Sequence, residues 1–135
     1  MTLSRKFAHL SSVKGTTHLL LVSATDADAD GAEQSRNELA LATPGNMLLP
    51  AATVTATVAS APSPDGSVLI TLDASATALY VTLTTLAHGR FSDNAFAMAP
   101  GKVTVSFIPM QKSAPVDISV LKASLRIEHL EQNQH

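Results

Sequence analysis

The chain has 135 residues, enough for one core of ordinary size, and 45% of them are hydrophobic, which excludes a disordered chain. Only 4% are aromatic, so Val, Leu, Ile and Ala must build that core, and the net charge of -2 leaves no electrostatic footprint for nucleic acid or an acidic membrane. The absence of cysteine excludes disulfides, Cys-ligated zinc and thiol catalysis.

Residues 1–14 mix Ser, Lys, Arg and His without a sustained period and are expected to form a loose lead-in. Arg5, Lys6 and Lys14 precede Leu19-Leu20-Leu21-Val22, but that apolar run is too short for a signal-peptide core, and Asp26, Asp28 and Asp30 follow it. The run is read as a strand from Thr17 to Ala24. No segment approaches the length of a membrane-spanning helix. An acidic loop, Asp26 to Gly31, separates this strand from a second at Asn37 to Thr43. Thr43-Pro44-Gly45-Asn46 and Pro50 then break the chain.

From there a two-residue period dominates. Val54, Ala56 and Val58 alternate with Thr53, Thr55 and Thr57. After the turn Pro62-Ser63-Pro64-Asp65-Gly66, Val68, Ile70 and Leu72 alternate with Ser67, Leu69 and Thr71. Leu79, Val81 and Leu83 alternate with Tyr80, Thr82 and Thr84, and Val103, Val105 and Phe107 with Lys102, Thr104 and Ser106. Each run has the pattern of a strand with one buried and one wetter face. Val116, Ile118 and Val120 are out of phase with Leu125 and Ile127. One strand could hold both sets only with a bulge; a short helical turn started by Asp117 or Ser119, followed by a closing strand from Leu125 to Leu130, is the favoured reading. About seven short strands with turns between them predict an all-β, immunoglobulin-like antiparallel sandwich over 15–131, with a tail at 132–135. Between Leu39 and Gly89 the only charged residues are Asp65 and Asp73, so the outward faces there are threonine-rich instead.

The sharpest local feature is Gly89-Arg90-Phe91-Ser92-Asp93-Asn94-Ala95-Phe96, followed by Ala99-Pro100-Gly101. It resembles the Gly-x-Phe-Ser-Asp-Asn-x-Phe turn before a late strand in the C-terminal immunoglobulin-like domain of β-mannosidases of glycoside hydrolase family 2. Asn37 to Pro44 with Leu48-Leu49-Pro50 is similar to the family's approach to its next strand, and Leu121 to Leu130 resembles its closing segment. The acidic insertion at Asp26 to Gly31 departs from the pattern. The resemblance implies a non-catalytic sandwich, with Gly89, Phe91, Ser92, Asp93, Asn94 and Phe96 as a structural signature. It also implies packing against other domains of a larger glycoside hydrolase that removes terminal β-linked mannose. The family's acid and nucleophile glutamates lie in a barrel domain that this sequence does not contain, so no catalytic residue is carried over.

The residues themselves support the same expectation. A retaining glycosidase holds two carboxyl groups roughly 5–5.5 Å apart. Glu33, Glu38, Glu128 and Glu131 are the only glutamates, flanking a loop or lying near the end of the sequence, and nothing pairs them. His88, Ser92 and Asp93 invite a hydrolase reading, but adjacent Ser and Asp side chains diverge on an extended backbone. Ser, Asp and Asn more commonly bond to nearby backbone amides and stabilise turns, with Phe91 and Phe96 anchoring the turn to the core. Asp26-x-Asp28-x-Asp30-Gly31 begins like a calcium loop, but Asn37 stands at the twelfth position where a bidentate glutamate belongs. The expectation is a solvated acidic loop. His9, His18, His88, His129 and His135 show no ligand spacing, and no cofactor or metal is expected. The alternative is a freestanding binding module for carbohydrate or a protein partner, although carbohydrate modules use aromatic platforms and this chain has no Trp and one Tyr.

Overall fold

The computed structural model of the protein describes residues 19–25, 33–111 and 114–133. The chain divides into two compact units, Met1–Leu48 and Leu49–His135.

In the first unit, β1 (Leu19–Thr25) and β2 (Glu33–Ala40) form an antiparallel pair with Leu20 opposite Leu39 and Val22 opposite Asn37. The second strand begins earlier than its alternation suggests, because pairing with β1 extends order into the polar stretch before Asn37. It ends at Ala40 rather than Thr43, where Thr43 leads into a 3-10 turn at Pro44–Asn46. Proline biases the residue before it away from helical geometry and towards a turn entry.

The second unit is a sandwich. Its four-stranded sheet has the order β3 (Val54–Val58), β4 (Val68–Ala74), β8 (Gly101–Pro109), β6 (Gly89–Phe91). Its three-stranded sheet has the order β7 (Phe96–Met98), β5 (Ala78–Thr84), β9 (Arg126–Glu128). All pairings are antiparallel. The core lies between the sheets: Val68, Ile70, Leu72 and Ala74 from β4 with Val105 and Phe107 from β8 meet Ala78, Val81 and Leu83 from β5 and Met98 from β7. These are the inward phases of the sequence alternation, now paired so that one sheet's apolar rows face the other's.

A helix, α1 (Ile118–Ser124), closes one side by burying Leu121. Asp117 is its N-cap: one carboxylate oxygen accepts from the Ser119 and Val120 amides at 3.0 and 3.1 Å. The closing strand is shorter than Leu125 to Leu130, since Leu130–Asn133 turns into a 3-10 helix. Strand β5 departs from simple alternation. A register shift between Ala78 and Val81 buries both Ala78 and Leu79, and Tyr80 takes the left-handed φ of 53° at that bulge.

Candidate functional site

The segment from Gly89 to Phe96 carries the sequence's most specific pattern. It begins in β6, at the edge of the four-stranded sheet, and ends in β7, at the edge of the three-stranded sheet. It is therefore a crossing between sheets, and its residues contact both sides.

On the first side, Phe91 lies opposite Phe107, with the ring centroids 5.0 Å apart at 65°. This edge-to-face contact seats a half-buried ring on the most deeply buried aromatic of the core. Gly89 makes the approach possible. A Cβ at this position would stand 2.4 Å from the Phe107 ring and 2.7 Å from the Ile108 carbonyl oxygen, closer than any side chain tolerates. Ser92 then holds β8 twice: its N–H donates to the Ser106 carbonyl at 2.7 Å, and its hydroxyl accepts from the Ser106 N–H at 2.9 Å.

On the second side, Asn94 imitates a strand. Its Oδ1 accepts from the Leu83 N–H at 2.7 Å and its Nδ2 donates to the Leu83 carbonyl at 2.9 Å, satisfying both backbone groups of one β5 residue. Asp93 steadies the corner by accepting from the Asn94 N–H at 2.8 Å. Ala95 completes the crossing with a left-handed φ of 60° that aims its N–H at the Val81 carbonyl, 2.9 Å away. Phe96 packs half-buried against the core and pairs with Val81.

The chemistry of the segment follows from these bonds. The Ser92 hydroxyl and Asp93 carboxylate serve main-chain amides, and His88 is exposed. The geometry is that of a polar clasp between two sheets.

Other residues singled out in the sequence lie apart. Glu128 is exposed on β9, opposite Thr82. Glu131, read from sequence as simply solvated, is half-buried and accepts from the Ala52 N–H at 3.4 Å. Glu33 and Glu38 belong to β2 in the other unit. Asp26, Asp28 and Asp30 lie outside the described residues. Among the described residues no group of three or more His, Asp or Glu is arranged to hold a metal ion, and no helix is long and apolar enough to cross a membrane.

Sequence reasoning missed three features here. Nothing in the sequence marked the contact between Gly89 and Phe107, which joins residues far apart in the chain. The left-handed Ala95 has no composition signal, since Gly or Asn is usual in that conformation. His129 is buried, 1% exposed, where its backbone N–H donates to the Gln132 side chain at 3.3 Å.

A family model for an Ig-fold domain of mannosidases, of the type found in β-mannosidase C-terminal regions, matches residues 49–133. Among curated proteins none matches the chain.

Proposed function

The chain belongs to the mannosidase Ig-fold domain family, and on that premise we propose that it is the non-catalytic C-terminal sandwich of a family 2 glycoside hydrolase, packing against the enzyme's other domains. The parent activity is hydrolysis of terminal β-mannosides at non-reducing ends.

One observation carries this reading: the Ser92 and Asn94 side chains bond backbone groups of the two sheets, and Asp93 steadies the turn between them. These residues lie exposed at the surface, yet the Ser92 hydroxyl and the Asn94 amide bond main-chain groups of β8 and β5. The segment uses its hydroxyl and amide to hold the sandwich together, which is the role of a supporting domain. Three of the phenylalanines point the same way, Tyr80 being the exposed ring among the described residues. Phe107 is fully buried, and Phe91 and Phe96 pack against the core, so these rings offer no flat platform to a sugar face.

The test has two arms. The chain is assayed with an aryl β-mannoside, where no turnover above a blank is expected. Turnover that survives stringent purification would overturn the reading. The reading frame around the chain is also sequenced for a barrel bearing paired glutamates. A frame without one would shift the assignment to a freestanding binding module, to be checked by titration with manno-oligosaccharides.

A further inference from the structure

Strand β3 is the edge of the four-stranded sheet, and its sequence, Val54-Thr55-Ala56-Thr57-Val58, reads the same in both directions. We infer that this edge pairs with its own copy in a second molecule, antiparallel about a two-fold axis through Ala56, joining the two sheets into one.

The backbone polarity sets the register. The Ser75 N–H donates to the Thr53 carbonyl and the Ala59 N–H to the Leu69 carbonyl, so odd-numbered residues from Thr53 to Ala59 direct their backbone groups at β4. Val54, Ala56 and Val58 therefore direct theirs outward. Ala52 confirms the phase, because its outward N–H is the one met by Glu131. A two-fold axis at Ala56 places Val54 opposite Val58 and Ala56 opposite itself. These are the pairs that exchange both hydrogen bonds, so every outward N–H and C=O of the three residues finds a partner. The palindrome also sets Thr55 opposite Thr57, a favourable cross-strand pair.

Charge favours the same arrangement. Natural edge strands are usually protected by lysine, proline or a bulge, and β3 carries none of these. No like charges meet across the axis. Beside β3 runs a groove of about 590 Å³ lined by its own residues with Lys122, Leu125 and Ile127. Glu131 stands at the Ala52 end of this edge, and the chain runs back from there through Ile127 and Leu125 to Lys122. Lys122 is the one charged residue among those lining the groove. A second copy is thus matched in backbone register and side-chain pairing, with no charge on β3 to oppose it.

The experiment is sedimentation equilibrium of the full chain over a concentration series. The parent chain should shift from monomer towards dimer as concentration rises. Ala56→Pro removes an outward N–H that β4 does not use, so the ladder to β4 survives while self-pairing is lost. Its apparent dissociation constant should rise at least about tenfold. The double change Thr55→Lys with Thr57→Lys sets like charges opposite one another and should also leave monomer, while Thr55→Lys with Thr57→Glu sets opposite charges there and should restore the dimer. A parent chain that stays monomeric at its highest concentration overturns the inference. So does dimerisation of the proline or double-lysine variant at the parent's strength, or failure of the lysine–glutamate variant to associate.

Discussion

Gly89, Asn94 and Ala95 show how single residues hold two sheets in register. At Gly89 the neighbours are a ring and a carbonyl at 2.4 to 2.7 Å from any added Cβ. Gly89→Ala should therefore lose about 1–3 kcal/mol through overpacking, read from the urea midpoint. At Asn94 the amide matches both backbone groups of Leu83. Asn94→Asp keeps the acceptor but turns a carboxylate oxygen towards the Leu83 carbonyl. That variant should lose about 1–3 kcal/mol at neutral pH and regain part of it in acid, where the protonated carboxyl can donate. A loss independent of pH would mean that Asn94 acts by shape rather than by donation. Ala95 works against its own preference, since a left-handed backbone is costly for a residue with a Cβ. Ala95→Gly should raise stability by up to about 1 kcal/mol, the relief being partly offset by the freer unfolded chain.

At the scale of elements, short strands and a short helix depend on their ends. Helix α1 has only seven residues, too few to be stable alone, so its cap and the burial of Leu121 must hold it. The Asp117 carboxylate is held below its ordinary range, first by the Ser119 hydroxyl at 2.5 Å and then by the Val120 amide. Asp65 is lowered likewise, first by the Ser67 hydroxyl and then by the Ser67 amide, in the turn before β4. A carboxylate lowered by folding stabilises fully above its unfolded pKa and loses that contribution as pH falls through the folded value. Thermal stability should therefore decline below about pH 4. Asp117→Asn, which keeps the cap but does not titrate, should decline less steeply. Equal slopes for the two proteins would remove Asp117 from the account. Charge is sparse elsewhere on these strands, and Asp73 meets Lys102 at 3.9 Å across β4 and β8, an exposed pair of little energetic weight.

For the whole molecule, the buried core and the residues packed on it are drawn from Ala52 to Ile127. Residues 49–135 expressed without the β1–β2 hairpin should accordingly unfold in one cooperative transition. A fragment that lacks cooperative unfolding would show that the first unit supplies part of the core. The hairpin presents Leu20, Val22 and Leu39 exposed, the two leucines directly opposite one another. Such an apolar face suits the proposal of a domain that works among neighbours.

The alternation of Val, Ile and Leu with Thr and Ser by itself determined that the chain forms strands with one buried face, because a two-residue period is compatible with strands alone. The phase change between Val120 and Leu125 allowed a bulged strand or a short helix, and the structure has the helix, capped by Asp117. The Ser-Asp-Asn segment suggested local side-chain bonds, and Asp93 makes one to the Asn94 amide. What the turn joins was decided only in three dimensions: Ser92 finds Ser106 and Asn94 finds Leu83, partners remote in sequence. Tertiary structure also decided the bulge at Tyr80 and the glycine beneath Phe107. It decided the placement of β3 at the end of its sheet among the described residues as well, because strand order is set by packing between sheets. Local periodicity fixes which face of a strand is buried, while the identity of its neighbours depends on contacts that no local pattern encodes.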